Sequence, residues 1–219
     1  MTPIPQIMHQ IWIGDADPPA ELMGFRQGLL DLHPTWQHFF HRDESAFGDP
    51  CLGSDLRKAL CEAATRVRTY KTTHHPLALV ADLLRMTVLH NHGGVYADLD
   101  MQAVKPLDGF LNTDLLLCSS GVCNPDLFLM GAPPRSPAIL TILTRIMAAR
   151  PVPGPGARML MLNCLPSLRR EFGWEAFAAE YFCPLDREGR GTITENTHAI
   201  HRWRRHGAGE GDGKGTSVG

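Results

Sequence analysis

Residues 75–100, HPLALVADLLRMTVLHNHGGVYADLD, decide the fold. Pro76 suits the first position of a helix, because its ring pre-sets φ and its missing N–H falls where no partner is needed. Leu77, Val80, Leu84 and Val88 then recur at helical spacing until Gly93-Gly94, a pair suited to closing the helix in the left-handed conformation. Asp82 and Arg85 put charge in the middle of this helix. Three residues apart, they share a face, and that face looks toward something polar. Beyond the glycines the period changes: Val95, Ala97 and Leu99 alternate with Tyr96, Asp98 and Asp100. A strand here buries the first set and presents the second, with two carboxylates about 6.5–7 Å apart along one side. At a strand end, such a pair suits one hard divalent cation or its shell of water.

Working outward, Gln6 to Ile13 is a nearly continuous apolar run, the pattern of a strand covered on both faces of a parallel sheet. Gly14 to Pro19 breaks it, and Ala20 to Leu32 follows as a helix with Leu22, Phe25, Leu29 and Leu32 on one side. TWQHFFHRD, residues 35–43, reads as a second strand, which makes a βαβ opening. Ser54 is placed to cap a helix running to about Val67, with Leu56, Leu60 and Val67 inward. Leu115 to Cys118 and Leu127 to Met130 are short strands. Pro137 starts an amphipathic helix bearing Ile139, Ile142, Leu143 and Ile146, and PVPGPG separates it from another helix around Ala157 to Leu162. FCPLD and TITENTHAIHRW are the last ordered pieces. From His206 on, the chain is glycine-rich and polar and cannot repay its ordering entropy. The expectation is one α/β domain over residues 1–205 with a disordered tail over 206–219.

The chain's 219 residues are enough for a full core, and 43% of them are hydrophobic. A net charge of −2, with 21 basic and 23 acidic residues interspersed, gives no electrostatic case for nucleic acid. Apolar stretches are cut by Asp82, Arg85 or prolines before reaching the roughly 20 residues that span a membrane, which leaves peripheral association as the one membrane role open. The amino terminus lacks a basic region and a small-residue cleavage site, so a cytoplasmic location is expected. The six cysteines, Cys51, Cys61, Cys118, Cys123, Cys164 and Cys183, show no paired C-x2-C spacing and are expected as buried free thiols.

Asp-x-Asp alone is a weak signal, and the chain has two. Asp15-Ala16-Asp17 lies in a proline-rich loop and reads as a solvated turn, whereas Asp98-Leu99-Asp100 closes a hydrophobic strand directly after a capped helix. Phosphatases of the haloacid-dehalogenase type also end a strand in Asp-x-Asp. Theirs, however, lies near the amino terminus and is followed by Thr or Val, where this chain has Met101-Gln102 in mid-sequence. The glycine and distal glutamate of an EF-hand are missing as well.

The run ADLLRMTVLHNHGGVYADLDMQAVKPLD, residues 81–108, resembles the signature of DXD-containing sugar transferases of glycosyltransferase family 32. That grouping includes yeast-type initiating mannosyltransferases and bacterial capsule or lipopolysaccharide enzymes. More distantly, the run resembles the catalytic domains of the large clostridial glucosylating toxins. IPQIMHQIWIGD at the amino terminus, Gly154-Pro155, and THAIHRW near the end are similar to other blocks of the family.

The resemblance implies a GT-A fold, a Rossmann-like nucleotide-binding α/β sandwich with a mostly parallel central sheet. It also implies transfer of a hexose from a UDP- or GDP-sugar, with retention, to a glycan, lipid-linked or protein acceptor. By the same resemblance Asp100 binds Mn2+ or Mg2+, and Asp98 contacts the ribose and sugar or a metal-bound water. Asp82 and Arg85 orient the donor hexose, or form an internal ion pair. Ile11 and Trp12 lie where the nucleobase stacks, Tyr96 lies near the ribose, and His201, with His198 as a rival, closes over the donor as a further metal contact. The family's closing Ser-Trp pair is absent after Trp203. The alternative reading is therefore a nucleotide-sugar-binding protein that has lost transfer.

Overall fold

In the computed structural model, residues 3–13, 16–49, 53–69, 76–121, 126–148, 174 and 176–203 are described. The expected helix at 157–162, the Gly154-Pro155 block and the 206–219 tail lie outside them, as do Cys51, Cys123 and Cys164.

The opening unit forms as its pattern dictates: β1 (Ile7–Ile11), α1 (Ala20–Leu32) and β2 (Gln37–His41), with β1 and β2 paired in parallel. Four of the five β1 residues are buried, as expected of a strand covered on both faces. A 3-10 turn at Ser45–Gly48 leads to α2 (Ser54–Thr69) and then to α3 (Pro76–His92), which starts at the proline. Val80, Leu84 and Val88 are fully buried, whereas Leu77, in the first turn ahead of the buried stretch, is 40% exposed. The Gly93 N–H donates to the Leu89 carbonyl at 2.9 Å, and Gly93 and Gly94 both take positive φ, +66° and +96°. Glycine is required at this corner: a Cβ on Gly93 would lie 2.5 Å from the Pro134 nitrogen, and one on Gly94 would lie 2.6 Å from the Ile7 carbonyl oxygen.

Next come β3 (Gly94–Ala97), β4 (Met101–Ala103), β5 (Leu116–Cys118), β6 (Asp126–Ala132), α4 (Pro137–Ala148), a single helical turn α5 (Ala179–Phe182) and β7 (Ala199–His201). The main sheet has the order β2-β1-β3-β6-β5, and β6 alone runs against the other four strands. One face packs on α2, α3 and α4 through Leu60, Val80, Leu84, Ile139 and Ile142. The other packs on α1, α5 and the β4-β7 pair through Leu29, Phe182, Met101 and Ala199. Alternation along β3 holds, with Val95 and Ala97 in the second core and Tyr96 in the first, so Tyr96 is buried rather than presented.

The aspartates do not share a strand as expected. β3 ends at Ala97. The Asp98 N–H still reaches the Phe128 carbonyl at 2.8 Å, and the Met101 N–H then closes a turn on the Asp98 carbonyl at 3.1 Å. The chain leaves the sheet here because β4 pairs instead with β7, Met101 opposite His201. β1 connects outward to β2 while β3 lies on its other side, so Trp12 and Asp98 follow the carboxyl ends of strands flanking the point where the sheet reverses direction. Ligands of open α/β sheets bind in that crevice. No described helix is long and apolar enough to cross a membrane. Among the described cysteines Cys118 and Cys183 are buried free thiols, as expected, but Cys61 is exposed on α2.

Candidate active site

The helix-face pair comes together with the strand-end carboxylate around one guanidinium. Arg85 Nη2 lies 3.1 Å from Asp82 Oδ1 and 3.1 Å from Asp98 Oδ1, and it donates to Tyr96 Oη at 3.3 Å. Its Nη1 donates to the Leu127 carbonyl, and the guanidinium sits 4.3 Å over the Tyr96 ring. Burial alone would lower the Arg85 pKa, but Tyr96, Asp98, Asp82 and Asp126 together hold it above its ordinary value. Burial likewise pushes the Tyr96 phenol far up, a shift that Arg85 opposes and Asp98 reinforces. Tyr96 Oη therefore remains a donor, and it gives its proton to Asp98 Oδ1 at 2.6 Å. The side chains of Asp82 and Arg85 are only 2% and 4% exposed, so their influence reaches the crevice through Asp98, which is 21% exposed.

With Oδ1 occupied twice, Asp98 turns Oδ2 toward His201 Nε2, 3.8 Å away, and Asp100 Oδ1 lies 3.1 Å from the same nitrogen. The β4-β7 pairing supplies this histidine from a hundred residues downstream, and the Arg202 N–H fixes the register by donating to the Asp100 carbonyl at 3.0 Å. Donor atoms from Asp98, Asp100 and His201 all lie within 4.8 Å of one another. Two carboxylate oxygens and an imidazole nitrogen fit a divalent cation. The charge balance agrees. Asp82, Asp98 and Asp126 lie around the Arg85 guanidinium while Asp100 faces His201, a gathering of carboxylates whose charge a divalent cation would offset.

Of the other expected residues, His198 is not in this cluster: its Nδ1 lies 2.7 Å from the Pro106 carbonyl oxygen and its ring meets Phe110. Ile11 is buried in the same core as Tyr96. Trp12 is half-buried, with its indole N–H donating to the Ala16 carbonyl at 2.8 Å. Sequence reasoning missed Asp126, which starts β6 near Arg85, and Phe128, stacked on His201 at 4.7 Å. A single charge opening the otherwise apolar run DLFLMGA was the available signal for Asp126. Nothing local marks Phe128.

A mostly parallel sheet with an Asp-turn-Asp site at its reversal point agrees with the GT-A fold. Solved structures share it: the PaToxG glycosyltransferase superposes with a TM-score of 0.54 at 16% identity, covering 78% of each chain. The UDP-bound glycosyltransferase domain of the YGT toxin superposes with a TM-score of 0.50 at 12% identity, covering 79% of this chain and 68% of that one. Residues 19–116 match the family described as glycosyltransferase sugar-binding region containing DXD motif. It is 31% identical over 140 residues to mannosyl phosphorylinositol ceramide synthase SUR1 of Saccharomyces cerevisiae, an alignment covering 64% of this chain and 34% of that protein. The chain thus spans about a third of the length of the curated relatives it matches.

Proposed function

We propose that the protein transfers a hexose from a nucleotide sugar, with a divalent cation held by Asp98, Asp100 and His201. The convergence of those three side chains beside the Arg85–Tyr96 network carries this reading. Held by these residues, a divalent cation would supply neutralisation of charge on the departing diphosphate. The chain's own residues do the rest. Arg85, backed by Asp82 and Tyr96, fixes the Asp98 carboxylate so that one oxygen stays free for the ribose or the cation's shell. Trp12, at the end of β1, offers the aromatic face on which a nucleobase stacks. Because one ligand is an imidazole, the donor set favours Mn2+ over Mg2+, which prefers oxygen alone.

Every carboxylate in this cluster is committed to an ion pair, a hydrogen bond or the cation, so no free covalent nucleophile stands out. A same-face displacement follows. The bond from the anomeric carbon to the diphosphate oxygen breaks, the acceptor oxygen attacks from the same side, and its proton passes to the leaving diphosphate. The expected product has the α configuration from an α-linked donor, and a β product rules the route out. Mannose heads the choice of hexose because the related yeast protein is named for mannosyl transfer. The phosphorylinositol ceramide in that name makes a lipid-linked hydroxyl the first acceptor to try.

The test is nucleoside diphosphate release from GDP-mannose and a panel of UDP- and GDP-sugars, with Mn2+ or with EDTA, for wild type and Asp100→Ala. Release that requires both the metal and Asp100 is expected. Metal-independent release, or full activity in Asp100→Ala, overturns the proposal. Metal-dependent nucleotide binding with no release from any donor shifts the assignment to a binding protein.

A further inference from the structure

His201 faces the aspartate pair through Nε2, yet its other ring nitrogen, Nδ1, is buried without a hydrogen-bond partner. A ligating histidine ordinarily has that second nitrogen tied to a carboxylate or carbonyl, which sets the ring's orientation. Here the imidazole packs against two aromatic rings instead. Phe128 stacks on it with centroids 4.7 Å apart and planes within 11° of parallel, and Trp203 meets it at 4.2 Å, tilted by 58°.

Trp203 is itself gripped. Its φ of +55° is left-handed, a conformation that a bulky side chain keeps only when its surroundings enforce it. The indole Nε1 donates to the Leu185 carbonyl at 3.0 Å, and the Arg187 guanidinium lies 5.0 Å over the ring. Both partners belong to a small hairpin closed by bridging of Leu185 with Gly191. Asp186 braces it, its carboxylate accepting from the Glu188 N–H, the Arg190 N–H and Arg190 Nε. Arg202, between the two ring-bearing residues in sequence, donates to Gln102 Oε1 and ties the end of β7 to β4.

We infer that Trp203 and Phe128 are positioning residues for the His201 imidazole, with the 185–191 hairpin as their anchor. Ring packing does for this ligand what a hydrogen bond does for most ligating histidines. The inference rests on the cation site proposed above.

Two measurements on the full chain test it. The first is Mn2+ affinity, read from the electron paramagnetic resonance signal of the free ion, for wild type, Trp203→Leu, Trp203→Phe, Phe128→Leu and His201→Ala. Trp203→Leu and Phe128→Leu are expected to weaken binding roughly tenfold, the usual effect of losing an orienting partner, while Trp203→Phe restores most of it. The second is the chemical shift of the His201 ring protons in metal-free protein, whose ring-current displacement is expected to shrink in Trp203→Leu. Trp203 is half-buried at the edge of the second core, and Trp203→Phe keeps an aromatic ring packed there. Wild-type Mn2+ affinity in Trp203→Leu alongside weakened binding in His201→Ala overturns the inference and leaves the cation site standing. Wild-type affinity in His201→Ala overturns both. Unmoved His201 ring protons in Trp203→Leu overturn the inference without reference to metal.

Discussion

Arg85 is the residue on which most of the site depends. It balances Asp82 and Asp98 at 3.1 Å each inside the protein, where an unpaired carboxylate is costly. Arg85→Leu is therefore expected to lower the unfolding free energy by about 3–5 kcal/mol, measured by urea denaturation. A loss below about 1 kcal/mol contradicts the buried network. Tyr96→Phe removes one of two donors to Asp98 Oδ1 while keeping the ring under the guanidinium. Its expected cost is about 1 kcal/mol of stability, with a clear rise in the metal concentration needed for half-maximal activity. Unchanged metal dependence in that variant means Tyr96 packs without tuning Asp98. These residues were legible from spacing alone: Asp82 and Arg85 share a helix face at any tertiary arrangement, and Tyr96 and Asp98 share a strand side. What spacing hides is the long-range partner. His201 carries no local mark of its contact with Asp100; a strand pairing across a hundred residues makes it, and only the resemblance singled it out.

At the scale of elements, the corner between α3 and β3 fixes where Asp98 points. Gly93→Ala places a methyl 2.5 Å from the Pro134 nitrogen and forces a positive φ on alanine. A loss of about 1–3 kcal/mol in unfolding free energy is expected. Gly109→Ala, where nothing lies within 4 Å, serves as the control and is expected to be near neutral. Equal effects at both positions contradict the account of the corner. The bounds of α1 and the start of α3 follow directly from proline placement and apolar period, and the structure reproduces them. The strand through Asp100 was misread for an instructive reason. Alternation of apolar and polar residues persists through a tight turn, and the hydrogen bond from Met101 to Asp98 that ends the strand depends on β4 leaving to pair with β7.

Across the whole molecule, buried histidines on both faces of the sheet set an acid limit. Burial lowers the His9 pKa to about 3, aided by His41 and His92 and opposed by the Gly93 carbonyl that its Nε2 meets at 2.9 Å. Burial lowers His33 and His41 in the same direction. The folded-state values lie below those of the unfolded chain, so the unfolded chain binds more protons once the pH falls below about 6.5. Stability is complete above that pH and declines toward pH 3, by about 1.4 kcal/mol per unit for a group such as His9. Urea midpoints measured between pH 7.5 and 4.5 are expected to fall, and to fall less steeply in His9→Gln; an identical slope in the variant moves the cause elsewhere.

The crevice beyond β1 and β3 is expected to bind a nucleoside diphosphate through a cation held by the two aspartates. Calorimetric titration of GDP and UDP into wild type and the Asp98→Asn/Asp100→Asn variant, each with Mn2+ and with EDTA, tests it most directly. One nucleotide is expected to bind wild type at least about tenfold tighter with Mn2+, a difference of about 1.4 kcal/mol that disappears in the variant. Equal affinity with and without metal in wild type, or a metal effect that survives in the variant, contradicts it.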